Sequence, residues 1–145
     1  MKRTILWLAL LFAASPLAAE GLVLAKFHAD WCPSCKRWDN VSPGFSDLKR
    51  YAESKGITVV VFDLTDDEKT VTARRQAERL GVLKAFDDQK NATGYALLID
   101  IASGAIVQRL ESGSANLFFF DSFFSEDAQR AFETNRQKID AAVNR

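Results

Sequence analysis

The two cysteines of the chain stand three positions apart, in the segment Cys32-Pro33-Ser34-Cys35. A disulfide between them closes almost no loop, whereas the stabilisation that a disulfide gives grows with loop length. Such a pair is better suited to chemistry than to holding distant segments together. Because thiolates attack disulfides, the pair predicts dithiol–disulfide exchange, in which Cys32 forms a mixed disulfide and Cys35 resolves it.

A predicted strand and a predicted helix flank the pair. Residues 22–27 (LVLAKF) form a short apolar run that is typical of a buried strand. Apolar residues then recur every three or four positions up to Tyr51, as in an amphipathic helix. The cysteines therefore fall at the first turn of a helix, where free N–H groups and the helix dipole stabilise a thiolate. We expect Cys32 to be the exposed, reactive thiol and Cys35 the shielded one, with Pro33 at a position that needs no N–H.

The rest of the chain alternates strand and helix signals. Ser42-Pro43 should break the first helix, with Ser42 capping its second part, and Gly56 should follow its end. The later predicted elements are a strand at 57–64, an N-cap at 65–67, a helix to Leu80 with an added turn at 82–86, a loop at 91–94, a hairpin of strands 95–101 and 105–110, and a helix from about Ser125. This order, β-α-β-α-β-β-α, predicts an α/β fold with one four-stranded mixed sheet flanked by helices.

The segment FHADWCPSCK, residues 27–36, resembles the active-site signature of thioredoxins. It is most similar to the thioredoxin-like domains of bacterial periplasmic disulfide-exchange systems, and the order of elements extends the resemblance over residues 22–145. The resemblance implies the minimal four-stranded core, with strand 57–63 at a sheet edge. It also implies protein thiols or disulfides as substrates, a redox partner protein, and an active-site surround that includes Trp31, Pro33 and Ser34.

Two positions depart from the thioredoxin pattern. Thioredoxins usually carry an acidic residue six positions before the first cysteine, and this chain has Lys26 there. Lys26 either favours the thiolate and carries its proton, or turns to solvent with its stem packed. The family's cis-proline at the third strand is replaced by Thr93-Gly94, which predicts a wider opening and tolerance of Gly94→Pro. His28, four positions before Cys32, either packs or takes part in the chemistry.

The composition indicates one globular domain without a nucleic-acid surface. The chain has 145 residues, of which 48% are hydrophobic, and Lys plus Arg equals Asp plus Glu at 19 each. A structural zinc site would need two further ligands beyond the cysteines, and His28 is the one histidine of the sequence. We therefore expect no metal and no cofactor.

The first nineteen residues have the pattern of a secretory signal peptide. Lys2 and Arg3 precede an apolar run from residue 5 to 14, and the small residue Ala19 suits cleavage. The alternative is an uncleaved anchor, but a spanning helix needs about 20 apolar residues. The sequence thus predicts a signal peptide at 1–19, a thioredoxin-like domain at 20–145, and a periplasmic or secreted protein without stable membrane insertion after cleavage.

Three functions remain open from the sequence. The first is an exported protein disulfide oxidoreductase, reducing or oxidising. The second is a metallochaperone that holds a soft metal through Cys32, Cys35 and His28. The third is a redox-inert interaction module, because the segment LFFFDSFF either packs under the last helix or forms a docking patch. The residues of that patch would be Phe118, Phe119, Phe120, Phe123 and Phe124.

Overall fold

Four strands form one mixed sheet in the computed structural model, which describes residues 21–113 and 121–145. They are β1 (Leu22–His28), β2 (Thr58–Asp63), β3 (Tyr95–Asp100) and β4 (Ile106–Glu111), in the spatial order β2-β1-β3-β4. Strand β1 is parallel to β2 and antiparallel to β3, which pairs with β4 in a hairpin. This arrangement confirms the predicted fold class, and it leaves β2 at one edge of the sheet as expected.

Five helices in the described part of the chain pack against this sheet. They are α1 (Pro33–Asn40), α2 (Phe45–Ser54), α3 (Asp67–Arg79), α4 (Leu83–Gln89) and α5 (Asp121–Val143). Asp66 caps α3 by accepting a hydrogen bond from the Lys69 N–H, as the N-cap signal predicted. The predicted limits of two helices differ from the observed ones. The turn expected at 82–86 is a longer helix, and α5 already includes residues upstream of Ser125.

The predicted break between α1 and α2 is confirmed, but its predicted cap is wrong. The N-cap of α2 is Gly44 rather than Ser42. The Gly44 N–H donates to Asp47 Oδ2 at 2.8 Å, which satisfies a backbone group that a helix start leaves free. A side chain at position 44 would collide with the carbonyl oxygens of Trp38 and Val41. The close approach of the two helices therefore requires glycine where the chain turns.

The sheet separates two cores of different character. The α3–α4 face is built from apolar residues, including Phe27, Phe62, Phe86 and Tyr95, whose rings stack or meet edge to face. The opposite face, covered by α1, α2 and α5, contains Leu24, Leu48 and Ile139 among other apolar residues, and it also carries a buried lysine. Strand β1 contributes to both faces because its side chains alternate.

Some predictions fall on residues that the structure does not describe. The proposed signal peptide at 1–19 lies outside the described residues, and so do Phe118, Phe119 and Phe120. The backbone of Phe123 and Phe124 belongs to α5, but their side chains are outside the description. Within residues 21–113 and 121–145, no helix has the length and apolar character to cross a membrane.

Candidate active site

The two cysteines form a disulfide at the start of α1. Their Cα atoms lie 5.3 Å apart, and Cys32 is the N-cap of the helix. The Cys35 N–H donates to Cys32 Sγ at 3.2 Å, and Ser34 Oγ lies 3.3 Å from the same sulfur. Pro33 occupies the first turn, where the N–H that proline lacks would have no hydrogen-bond acceptor within the helix. The predicted placement of the pair at the end of a strand and the start of a helix is confirmed.

Cys32 is much less accessible than the sequence suggested. It is 3% exposed in the disulfide state, and Cys35 is fully buried. Both sulfurs are thus buried in the disulfide, and the greater exposure of Cys32 in the reduced pair stays a prediction. The cause of this burial is the segment before β3, which brings Gly94 against the sulfur. A Cβ built on Gly94 would lie 3.5 Å from Cys32 Sγ and 3.2 Å from Ser34 Cβ, and it would clash with Ser34 Oγ.

The geometry of Gly94 contradicts the expectation of a wider opening. Its φ is +91°, a value that proline cannot adopt, and its N–H donates to Phe27 O at 2.9 Å. Gly94→Pro would lose this hydrogen bond and drive the ring into Ser34, so the predicted tolerance of that substitution is wrong. Thr93 precedes Gly94 at the same end of β3 and is partly buried.

Trp31 is the exposed neighbour of the disulfide. The residue is 63% exposed, yet its indole Nε1–H donates to Thr65 O at 3.1 Å, which fixes the orientation of the ring. The backbone N–H of Asp30 donates to Thr65 Oγ1 at 3.0 Å. The loop before α3 thus holds the two residues that precede Cys32. An oriented, exposed aromatic face beside a reactive group is suited to contact with a partner.

Lys26 is buried on the α1 side of β1. It is 2% exposed, its Nζ pairs with an oxygen of Asp39, and this nitrogen lies 4.5 Å from the centre of the Phe45 ring. The alternative in which Lys26 turns to solvent is therefore wrong. Burial lowers the pKa of Lys26 below its ordinary value, against the hydrogen bond and the charge of Asp39, which raise it.

His28 lies two residues after Lys26 on β1 and therefore on the same face of the sheet. Its Nδ1 is 3.6 Å from Asp39 Oδ2 and its Nε2 is 3.4 Å from Asp30 Oδ1. The side chain of His28 is 18% exposed and that of Asp39 is 40% exposed. Asp39 therefore contacts the two polar residues of β1 at once and connects them to the surface.

Asp39 and Thr65 are the site residues that sequence reasoning missed. A signal was present for Asp39, because it follows Cys35 by four positions and so lies one turn further on the same face of α1. No comparable signal marks Thr65, whose contacts with Asp30 and Trp31 join segments more than thirty residues apart.

Within residues 21–113 and 121–145, no group of three or more His, Cys, Asp or Glu side chains is placed to hold a metal ion. Compared with protein-family models, curated proteins and solved structures, the chain shows no match. The C-x-x-C disulfide and the mixed four-stranded sheet with its helices are compatible with a thioredoxin-like fold, and the disulfide is compatible with redox activity.

Proposed function

We propose that the protein is an exported thiol–disulfide oxidoreductase, which exchanges the Cys32–Cys35 disulfide and dithiol with protein partners. The supporting observation is the position of Cys32 as the N-cap of α1. Its sulfur accepts the Cys35 N–H and lies beside the Ser34 hydroxyl. When the disulfide is reduced, the same donors would stabilise a thiolate, which is the nucleophilic form of cysteine.

The reaction conserves electrons between the two disulfides. The Cys32 thiolate attacks a partner disulfide, and one partner thiolate leaves with the electron pair of the broken S–S bond. Cys35 then loses its proton and attacks Cys32 Sγ, which releases the second partner thiolate and forms the disulfide seen here. The partner gains two electrons and the protein loses two. The reverse sequence oxidises a partner dithiol, and the reduction potential decides which direction prevails.

The burial of Cys32 adds a requirement for access. Because Cys32 is 3% exposed and Ser34 and Gly94 lie against its sulfur, a partner sulfur reaches it only after one of these two residues moves aside. The exposed ring of Trp31 offers a first contact surface next to that opening. This arrangement favours selective protein partners over indiscriminate exchange with any accessible disulfide.

The reduction potential of the Cys32–Cys35 pair tests the proposal directly. We would equilibrate the protein in glutathione buffers, alkylate the free thiols and measure the oxidised fraction by mass spectrometry. A redox-active pair should lie between about −270 and −120 mV, whereas a potential below about −300 mV would mark a structural disulfide and contradict the proposal. Ser34→Ala removes one donor to the thiolate, so it should lower the potential by about 20 mV.

Partners are identified by trapping the mixed disulfide. In Cys35→Ser the resolving thiol is absent, so partner proteins should stay linked to Cys32 and should be released by dithiothreitol. Cys32→Ser is the matched control and should trap far less, because Cys35 is fully buried whereas Cys32 keeps a small exposed fraction. Equal trapping by the two variants would reverse the proposed roles of the cysteines.

Export is tested on the protein from its native host. N-terminal sequencing should begin near residue 20 if the signal peptide is removed. Material that retains Met1 and sediments with membranes would contradict export with cleavage and would favour an anchor.

A further inference from the structure

The two edge strands of the sheet differ in what covers their outer sides. At β4, the carbonyl oxygen of Arg109 accepts a hydrogen bond from Lys138 Nζ at 2.7 Å. The carbonyl oxygen of Glu111 accepts one from Asn135 Nδ2 at 2.9 Å. Both donors belong to α5, and Asn135 is 3% exposed. Side chains of α5 thus occupy backbone acceptors that another strand would need for pairing with β4.

The outer side of β2 has no comparable cover within the described residues. The Leu64 N–H donates to His28 O on β1 at 2.7 Å, and backbone groups alternate in direction along a strand. The N–H and C=O groups of Val59, Val61 and Asp63 therefore point away from β1, the one strand that pairs with β2 in the described part of the chain. Val61 is 42% exposed. Strand β2 thus presents a row of backbone donors and acceptors around an exposed apolar side chain.

Helix α3 lies along β2 and widens this surface. It begins shortly after β2 ends, so it runs back along the strand, and both elements are about 20 Å long. An open groove lies between them, and Val61, Glu68 and Gln76 are among its lining residues. Residues three or four positions apart share one side of a helix, which adds Thr72 and Arg79 to the groove side of α3. We call this surface the β2–α3 edge, and its residues are Val59, Val61, Glu68, Thr72, Gln76 and Arg79.

The charges of α3 complement those of an antiparallel copy of the same helix. Glu68 lies in the first turn and Arg79 in the last, and both are exposed. The ion pairs of α3 in the described structure are made by Lys69 and Arg74 instead. A second α3 that runs antiparallel beside the first places each Glu68 next to the Arg79 of the other copy. Twofold symmetry therefore gives two pairs of opposite charge, whereas a parallel neighbour would bring like charges together.

We propose that the β2–α3 edge is the interface of a symmetric dimer of this chain, in which β2 pairs antiparallel with β2 of a second copy. Val61 lies opposite Val61 of the second copy on the twofold axis, and the two exchange N–H···O=C hydrogen bonds. Val59 pairs with Asp63 of the second copy in the same way. The two four-stranded sheets become one continuous sheet, and the exposed Val61 side chains pack against each other.

The dimer leaves both disulfides accessible to other proteins. Strand β1 is parallel to β2, so the disulfide that follows β1 lies beyond the end of β2 that carries Asp63. Because the second β2 runs in the opposite direction, the two disulfides lie at opposite ends of the joined sheet. The dimer therefore does not depend on the redox function, and a monomeric variant should keep the wild-type reduction potential.

Analytical ultracentrifugation of the purified protein measures the dimer directly. Wild type should sediment at twice the protomer mass, and a protein that stays monomeric up to about 1 mM would overturn the proposal. Val61→Lys places two like charges opposite each other on the twofold axis, so the Kd of the dimer should rise at least about 10-fold. Ile106→Lys is the matched control, because Ile106 is also 42% exposed but lies on β4, and this variant should stay dimeric.

Charge reversal tests the antiparallel arrangement of the two helices. Glu68→Arg and Arg79→Glu should each raise the Kd about fivefold, because each brings like charges together across the interface. The double variant restores opposite charges and should recover most of the wild-type affinity. A role within α3 alone predicts the reverse, since both changes oppose the helix dipole and their losses would add. Additive losses in the double variant would overturn the antiparallel dimer.

Hydrogen exchange at single amides identifies the surface that the dimer uses. The outward amide of Val61 should be protected in the dimer and should lose protection on dilution, whereas the Phe62 amide, which faces β1, should stay protected at every concentration. A dimer with an unprotected Val61 amide would place the interface elsewhere. A monomer with a protected Val61 amide would show that another segment of the same chain covers the edge. Either result would overturn the proposal.

Discussion

Strand β1 contributes different kinds of side chain to the two faces of the sheet. On the α3–α4 face, β1 contributes Val23, Ala25 and Phe27 to a core of apolar and aromatic side chains. On the opposite face, Leu24 is followed by Lys26 and His28, which lie beside the helix that begins at the disulfide. The alternation of the strand thus directs only apolar residues to the α3–α4 face, and it directs Leu24 and then the polar residues Lys26 and His28 to the other.

The comparison separates stability from chemistry. Substitutions on the α3–α4 face should change the free energy of unfolding and leave the reduction potential of the Cys32–Cys35 pair unchanged. Substitutions on the opposite face, around Lys26 and Gly94, should change the redox site and its pH dependence. The first of three predictions, given from the largest expected effect to the smallest, tests this separation directly, and the other two measure how the surroundings of Gly94 and Lys26 contribute to stability.

Phe86→Ala should give the largest loss of stability. Phe86 is fully buried and packs against the rings of Phe27 and Phe62, so its truncation leaves a cavity in the α3–α4 core. We expect the free energy of unfolding, measured in urea, to fall by about 3–5 kcal/mol. Phe86→Leu should lose only about 1 kcal/mol because it fills most of the space. The reduction potential of folded Phe86→Ala should stay that of wild type, and a shift would break the separation.

Gly94→Ala should destabilise the protein more than Gly104→Ala. Both glycines have positive φ, but a Cβ at Gly104 meets nothing within 4 Å, whereas one at Gly94 would collide with Ser34. The shared backbone strain amounts to about 1–2 kcal/mol. The collision should add about 2 kcal/mol at Gly94 in the same urea titration. Combining Gly94→Ala with Ser34→Gly should recover part of the addition, and equal losses at both glycines would show that Ser34 does not close the site.

Lys26→Met should have the smallest effect of the three on stability, and this effect should change with pH in the alkaline range. Burial places the Lys26 pKa in the folded state below its ordinary value of 10.5, so the unfolded state binds the proton more tightly. The free-energy cost of burying the charged lysine is therefore full below the folded-state pKa. It disappears as the pH rises from the folded-state pKa to 10.5. Wild type should therefore gain stability over this interval relative to Lys26→Met.

Thermal melts of both proteins across the alkaline range provide the measurement. Their difference isolates Lys26, because the raised pKa of buried Tyr95, which acts in the opposite direction, is common to both. Lys49→Met is the matched control, since Lys49 pairs with Glu53 on the surface of α2. Parallel curves of stability against pH for wild type and Lys26→Met would mean that folding does not lower the pKa of Lys26.

The sequence was sufficient for features that local patterns determine. The apolar runs predicted β1 and β2, the turn residues at 103–104 predicted the hairpin, and Asp66 predicted the start of α3. Cys32 and Cys35 followed from their spacing and from the strand before them. In each case the residues that decide the structure lie within a few positions of one another.

Features that depend on distant contacts were missed or wrong. The partner of Lys26 is thirteen residues away on a helix, so the sequence left its direction open. The contact of Gly94 with Ser34 joins segments sixty residues apart, and it buries Cys32 in a way that no local pattern indicates. Even the cap of α2 depends on helix packing, because the space beside Gly44 admits no side chain.

The central position of β1 has a consequence for hydrogen exchange. This strand is paired on both edges and buried on both faces from Val23 to Phe27, so its amide hydrogens should exchange only on global unfolding. The disulfide thus lies at the end of the most protected segment of the described chain. Changes in amide protection that follow reduction of the disulfide should be confined to the first turn of α1 and to the loop before Gly94, and the protection of β1 should stay the same in both states.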